Sequence, residues 1–321
     1  MTTPAHPSST RRLEEDLWVL DTLSQGTPGV TASYLIEGDG GFALVDVGPG
    51  ATLEAVLAAI RTSGHDVADL RTIILTHIHL DHAGATGALI RRAPGARVLV
   101  HPLGAPHLVD PTRLMASATQ IYGDRMGELW GEMVPVPAAR ITTLADGEAV
   151  HFGRRALTAL HTPGHAVHHI AYHDAARGAL FAGDIAGVHL EGVDFVRPPT
   201  PPPDLDLEAW SASIARLRTL RLDRLYLPHF GVARSVDAHL TALEARLYAW
   251  GEIVRAGMRQ QKDAPALAAD LAAASEPELA AARNASGGNA SQGYEVATNY
   301  LMSAQGYQRY FRKRHPERLA P

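Results

Sequence analysis

The chain has 321 residues, of which 46% are hydrophobic and 20% are charged, and this balance excludes a mainly disordered protein. Lysine and arginine number 29 against 34 aspartates and glutamates, so the formal net charge is −5, which disfavours a general nucleic-acid binder. The absence of cysteine excludes disulfides, iron–sulfur clusters, thiolate zinc sites and a cysteine nucleophile. The 17 histidines point instead to metal chemistry based on imidazole and carboxylate ligands.

The first part of the chain alternates between strand and helix patterns. Short apolar runs separated by glycine-containing turns predict strands over 16–20, 30–36 and 42–46. Apolar residues then recur at the spacing of one helix face over 51–63. Further along, the same patterns predict strands over 72–76 and 97–101, and helices near 84–92 and across 111–130.

The second part repeats this alternation and then becomes purely helical. Strands are predicted over 148–152, 155–160, 169–173, 179–182 and 225–228, and a helix over 206–220. Helices follow over 235–260, 264–285 and 294–314, with a break at 284–293. We therefore expect a flexible tail over 1–12, an α/β domain of layered sheets and helices over 13–234, and a helical C-terminal region over 235–321.

The sequence carries no feature that predicts membrane insertion or export. No apolar run approaches the 18 residues that a membrane span requires. The start of the chain is polar and lacks the apolar stretch of a signal peptide. We therefore expect a cytoplasmic protein.

The segment His77-Ile78-His79-Leu80-Asp81-His82 directly follows a predicted buried strand. His77 and His79 are two residues apart, so a loop can direct both imidazoles at one ion. Asp81 and His82 come at the next corner and can bind a second ion nearby. A dinuclear site needs several nitrogen and oxygen ligands, and this hexapeptide offers four of them.

Three further side chains lie just past the ends of predicted strands, where such a site needs more ligands. They are His165, Asp184 and His229. Asp184 has two carboxylate oxygens and can bridge two cations. Asp46 also ends a predicted strand, and we expect it to orient a ligand histidine without binding the metal itself.

The sequence THIHLDHAG, together with HTPGH, FAGD and the strand-end His229, resembles the metallo-β-lactamase-fold hydrolase superfamily, and within it the glyoxalase II-like branch. The resemblance covers about residues 16–232. It implies an αββα four-layer sandwich for the 13–234 domain, with the metals at the sheet edges. It further implies two sets of metal ligands, bridged by Asp184: one set is His77, His79 and His165, and the other is Asp81, His82 and His229. The cysteine ligand of many true β-lactamases is missing, which disfavours antibiotic hydrolysis.

These ligands predict a hydrolase that uses two divalent metal ions. Zinc suits the histidine and aspartate ligands, and iron or manganese are alternatives. Two cations lower the pKa of a shared water and provide hydroxide near neutral pH, and Asp81 is expected to be the catalytic residue that orients it. The expected substrate is a small molecule with an ester-like bond, either a thioester or a lactone.

Three other functions stay open at this stage. The first is a metal-dependent phosphodiesterase or ribonuclease, although the acidic net charge makes a nucleic-acid partner unlikely. The second is a mononuclear iron persulfide dioxygenase, and the third is a metal-binding module without activity.

The loop after Asp184 is expected to line a substrate pocket with His189, Phe195 and Arg197. An apolar stripe on the last helix, made of Tyr300, Leu301, Tyr307 and Phe311, suggests a homodimer contact.

Overall fold

The computed structural model describes residues 9–286 and 290–319 and divides the chain into two compact units. The first unit contains the chain up to His161 together with Ile170–Arg177, and the second contains Thr162–His169 and the chain from Gly178 onward. The strands form two sheets, with seven and six strands, and helices accompany both. The predicted α/β fold class with two sheets is therefore confirmed.

The first unit holds β1 to β10 and α1 to α6. Its strands are β1 (Arg11–Glu14), β2 (Leu17–Asp21), β3 (Ala32–Gly38), β4 (Gly41–Val45), β5 (Leu70–Ile74), β6 (Arg97–Val100), β7 (Ile141–Thr143), β8 (Ala149–Phe152), β9 (Arg155–His161) and β10 (Ile170–Asp174). Its helices are α1 (Leu53–Thr62), α2 (Leu80–Ala83), α3 (Thr86–Arg92), α4 (Ala105–Val109), α5 (Thr112–Tyr122) and α6 (Met126–Leu129).

The sheet of β1 to β7 changes from antiparallel to parallel pairing at β4. Strands β1 to β4 pair antiparallel in chain order, whereas β4, β5, β6 and β7 run parallel. Parallel strands bring their carboxyl ends to the same edge of a sheet. The residues that follow β4 and β5, Asp46 and His77, therefore lie at one edge.

Several elements of the first unit differ from the sequence expectation. β1 begins at Arg11, where Arg11 pairs with Val19, so the last two residues of the expected tail are in a strand. Residues 1–8 of that tail lie outside the described residues. The single helix expected over 111–130 is divided, because Gly123 has a φ of +53° that ends α5 and that glycine adopts without the Cβ clash of other residues.

The second unit holds β11 to β13 and α7 to α11. Its strands are β11 (Ala179–Phe181), β12 (Arg224–Leu227) and β13 (Gly231–Ala233). Its helices are α7 (Leu207–Arg218), α8 (Val236–Arg259), α9 (Ala264–Ser286), α10 (Ala290–Ala297) and α11 (Tyr300–Arg314). β11 and β12 are parallel, and their carboxyl ends lead to Asp184 and His229. The helices after residue 235 belong to this unit with β11, β12 and β13, and the expected division into a domain over 13–234 and a helical region over 235–321 stays a prediction.

The last helix begins later and is more buried than the sequence suggested. The Asn299 side chain accepts a hydrogen bond from the Met302 N–H at 2.8 Å and caps α11, which separates it from α10. Tyr307 and Phe311 are buried, and the Tyr307 hydroxyl donates to the Leu247 carbonyl. Leu301 is 42% exposed. Much of the apolar stripe is therefore buried within the chain, and the homodimer contact stays a prediction. Among residues 9–286 and 290–319, none of the helices combines the length and apolarity needed to cross a bilayer.

A buried guanidinium joins the two sheets within the first unit. Arg155 at the start of β9 has a fully buried side chain, 0% exposed. Its nitrogens lie 2.6 Å from an Asp16 oxygen, 2.7 Å from a Glu14 oxygen and 3.1 Å from an Asp174 oxygen. Asp16 lies in the turn between β1 and β2, and Asp174 ends β10, so one cation holds three segments together.

We expect Arg155→Met to lower the free energy of unfolding by about 3–5 kcal/mol, because it leaves buried carboxylates without their cation. Urea denaturation followed by circular dichroism measures the loss. Arg154→Met is the matched control, because Arg154 pairs with Glu15 at 2.9 Å while both side chains are mostly exposed. An Arg154→Met midpoint lowered as far as that of Arg155→Met would contradict the role of the buried cluster.

Candidate metal centre

The histidines of the hexapeptide come together at the carboxyl end of β5. The chain continues in buried form through Leu75 and Thr76, where the Leu75 N–H donates to the Leu99 carbonyl. His79 then caps the short helix α2, which carries Asp81 and His82 in its only turn. The ring centre of His77 lies 4.6 Å from that of His79 and 4.0 Å from that of His82. The first unit thus gathers three imidazoles and one carboxylate.

Asp46 determines which nitrogens of two of these imidazoles carry protons. It directly follows β4 with a φ of +53°, a conformation in which aspartate is tolerated. Its carboxylate accepts from the Thr76 N–H at 2.8 Å, from the Thr76 hydroxyl at 2.8 Å and from His82 Nδ1 at 3.0 Å. The Thr76 hydroxyl donates its hydrogen to Asp46, so its oxygen accepts from His77 Nδ1 at 3.0 Å. In their neutral forms, His77 and His82 therefore both keep a lone pair on Nε2.

The lone pair of His82 faces a carboxylate. His82 Nε2 lies 3.4 Å from Asp81 Oδ2. A neutral imidazole with its proton on Nδ1 offers no hydrogen at Nε2, and an ionised carboxylate offers none either. Two acceptors that face each other in this way need a cation or an added proton between them.

The second unit repeats this arrangement around Asp184, which follows β11. His165 Nδ1 donates to the Pro199 carbonyl at 2.8 Å, so its Nε2 also keeps a lone pair. That Nε2 lies 3.4 Å from Asp184 Oδ2, and His229 Nε2 lies 3.5 Å from Asp184 Oδ1. Each oxygen of Asp184 thus faces one imidazole nitrogen, as a bridging carboxylate does.

The three imidazole–carboxylate distances suit metal ligands better than hydrogen bonds, whereas His77 Nε2 lies at hydrogen-bond distance, 3.0 Å, from His79 Nδ1. Charge-assisted N–H···O bonds are about 2.7–2.9 Å long, shorter than the 3.4–3.5 Å found here. Two ligands that bind zinc at about 2.0–2.2 Å in tetrahedral geometry are about 3.4 Å apart. The donor chemistry of both His/Asp clusters therefore fits divalent metals.

His169 holds the backbone of Asp184, a role that the sequence reasoning did not assign. The Asp184 N–H donates to His169 Nε2 at 3.0 Å, so the Nδ1 proton of His169 goes to the Thr162 hydroxyl at 2.8 Å. His169 is fully buried. The sequence offered one indication of this role: His169 lies four residues after the expected ligand His165 and directly precedes β10.

The three residues expected to line a substrate pocket all lie in the segment after Asp184. His189 is half-buried, and burial lowers the pKa of its imidazole. Phe195 and Arg197 are both buried, and Arg197 Nη1 donates to Glu295 Oε1 at 2.7 Å and to the Thr298 carbonyl at 2.9 Å. Contact of these side chains with a substrate stays a prediction.

Comparison with known proteins identifies the relatives of this chain. The model of the metallo-beta-lactamase superfamily matches residues 26–229, a range that contains all seven expected ligands. The metallo-beta-lactamase fold-containing protein ST1585 from Sulfurisphaera tokodaii is 28% identical over 173 residues, which are 52% of this chain and 64% of that protein. A hydroxyacylglutathione hydrolase from Aeromonas salmonicida is 30% identical over 159 residues, 49% of this chain and 48% of that enzyme. The chain thus spans less than two thirds of the length of these two curated relatives.

A solved structure shares the fold over almost the whole chain. The crystal structure of the metallo-beta-lactamase family protein TTHA1429 from Thermus thermophilus has a TM-score of 0.70 and is 24% identical. The match covers 94% of this chain and 95% of that chain, so it extends beyond the residues of the family model. At this level of identity the likeness shows the fold alone.

We expect Asp46→Asn to weaken metal binding about 10- to 100-fold, the usual cost of losing a carboxylate that orients a ligand. Asparagine also tolerates the positive φ at this position, but its single oxygen cannot serve both Thr76 donors and His82. Competition with a chromophoric chelator measures the affinity for Zn²⁺. Asp21→Asn is the matched control, since Asp21 is a buried carboxylate that ends β2 and accepts from the Leu23 and Gly29 N–H groups. Unchanged affinity in Asp46→Asn, or an equal loss in Asp21→Asn, would refute the orienting role.

Proposed function

Because the chain belongs to the metallo-beta-lactamase superfamily, we propose that it is a metal-dependent hydrolase with two divalent ions. One ion is bound by His77, His79 and His165, and the other by Asp81, His82 and His229, while Asp184 bridges both. The match to the superfamily model supports this assignment, because the matched residues 26–229 contain all seven of these side chains.

The observation that carries the proposal is the opposition of imidazole lone pairs and carboxylate oxygens at 3.4 Å, for His82 with Asp81 and for His165 with Asp184. In both cases the Nδ1 proton is committed to another acceptor, namely Asp46 or the Pro199 carbonyl. Zinc is the proposed metal, since imidazole and carboxylate are ligands that it accepts, and iron and manganese accept them as well.

The chemistry then follows from the protein's own groups. When bound, two such ions supply Lewis acidity and make a water-derived nucleophile available near neutral pH. Asp81 is the proposed proton acceptor, because its side chain is 20% exposed, whereas those of Asp184 and Asp46 are 4% and 3% exposed. Asp46 keeps its oxygens on Thr76 and His82 and so holds the ligands in place while Asp81 moves the proton.

The proposed substrate is a small acyl compound, either a thioester or a lactone. Several relatives carry the name hydroxyacylglutathione hydrolase, which supports an acyl substrate for this chain as well. A polymeric phosphodiester would need a track of cations to neutralise successive phosphates. The net charge of −5 disfavours such a track.

The zinc-loaded chain is expected to hydrolyse a thioester or a lactone and to leave RNA uncut, and activity assays with these substrates test this prediction.

Asp184→Asn should lower both the amount of bound metal and the turnover, with turnover falling about 100-fold or more, because each oxygen of Asp184 faces a ligand imidazole. Asp270→Asn is the control, since Asp270 of α9 pairs with Lys262 and with none of the expected ligands. Salt-sensitive RNA cleavage that disappears in His77→Ala would contradict the acyl substrate, and oxygen consumption with a persulfide would contradict hydrolysis.

A further inference from the structure

The segment 188–197, which we name the clamp loop, closes on itself after Asp184. Val188 and Arg197 exchange two backbone hydrogen bonds, both 2.8 Å long. Gly187, just before the loop, donates its N–H to the Asp184 carbonyl at 3.0 Å. The loop is therefore a short hairpin that begins four residues after the proposed bridging ligand.

The first arm of the clamp loop holds the backbone of another proposed ligand. The His189 N–H donates to the His229 carbonyl at 2.8 Å, and the Phe230 N–H donates to the His189 carbonyl at 3.1 Å. Both backbone groups of His189 are thus committed to the peptide at His229. A shift of the loop at residue 189 would move His229 with it.

One side chain from a C-terminal helix fastens both arms of the loop. Tyr294 of α10 is fully buried. Its hydroxyl oxygen accepts from the Leu190 N–H at 3.3 Å and donates to the Phe195 carbonyl, and its ring meets the Phe195 ring edge to face at 5.3 Å. Burial raises the pKa of this hydroxyl, so it keeps the proton that it donates.

Two guanidinium groups complete the contact between the loop and the C-terminal helices. Arg197 lies 4.0 Å from the ring centre of Tyr300 and 5.1 Å from that of Tyr294. Arg246 of α8 lies 4.2 Å from the ring centre of Phe195 and donates to the Val196 carbonyl. Cations over aromatic rings in buried surroundings add to the stability of such a contact. The helices therefore hold the clamp loop in one conformation.

We infer that Tyr294 is a positioning residue for the metal bound by His229, acting through Leu190 and His189 of the clamp loop. This inference rests on the proposed function, because it assigns His229 to the second metal. The inference assigns a role to the C-terminal helices: they hold the clamp loop, and the backbone of the clamp loop holds His229. The Tyr294 hydroxyl contacts Leu190 and Phe195, whereas His165 of the other ligand set donates to the Pro199 carbonyl, which lies outside the clamp loop.

The test compares stepwise metal binding in Tyr294→Phe and in the unmodified full-length chain. The substitution removes only the hydroxyl and keeps the ring against Phe195. Titration with Co²⁺, followed by visible absorption, and competition titration with Zn²⁺ resolve the two binding steps. We expect one step to weaken about 10-fold or more in Tyr294→Phe, as is usual for partners that orient ligands, while the other step is unchanged. Turnover should fall with little change in KM, since the ligand and not the substrate is displaced.

Tyr307→Phe is the matched control. Tyr307 is also fully buried in the second unit, and its hydroxyl also donates to a backbone carbonyl, that of Leu247 at 2.6 Å. Its loss should lower the thermal midpoint by a similar amount and leave both binding steps unchanged.

Three outcomes would contradict this inference, and only the last of them also contradicts the proposed function. If the unmodified chain binds two ions and Tyr294→Phe binds both with the same affinity and spectrum, the positioning role is wrong. An equal weakening in Tyr307→Phe would overturn it too, because the effect would then follow from stability alone. If the unmodified chain binds fewer than two ions, the proposed function fails and takes this inference with it.

Discussion

The carboxylate of Asp46 is the constraint on which the first His/Asp cluster depends. Through the hydroxyl of Thr76 and through direct contact it commits the Nδ1 protons of His77 and His82. The Nε2 lone pair of His82 then faces Asp81, and that of His77 lies 3.0 Å from His79 Nδ1. Asp46 adopts a positive φ, a strained conformation for a residue other than glycine, where its carboxylate contacts Thr76 and His82. The parallel pairing of β4 and β5 brings Asp46 and the hexapeptide to the same edge of the sheet.

The second unit orients its expected ligands through different contacts. A backbone carbonyl, that of Pro199, takes the Nδ1 proton of His165, and a buried imidazole, that of His169, accepts the Asp184 N–H. Asp184 is consequently held from its backbone while its two oxygens face His165 and His229. A carboxylate fixed in this way can bridge two ions at little entropic cost.

The sequence was most informative where a motif and a strand end coincide. The hexapeptide follows β5, Asp184 follows β11 and His229 follows β12, so short buried runs were enough to place these side chains at sheet edges. The three-residue strands β7 and β13 were not predicted, because they form by pairing with a neighbouring strand and lack the apolar run that marks the equally short β11.

Contacts between segments far apart in the chain could not be predicted, because the sequence around a residue does not show its distant partners. The guanidinium of Arg197, a residue expected to line the substrate pocket, donates to Glu295 and to the Thr298 carbonyl, about a hundred residues later in the chain. Nothing local to Arg197 distinguishes these partners from a bound anion. The same holds for Tyr294, whose role depends on the packing of α10 against the clamp loop.

Anomalous diffraction at the zinc absorption edge, from crystals of the zinc-loaded chain, tests the central claim most directly. Two peaks about 3.5–4 Å apart are expected, with one Asp184 oxygen on each ion, His165 on the first and His229 on the second. A single peak under zinc-replete conditions, or two peaks away from these side chains, would contradict a dinuclear centre.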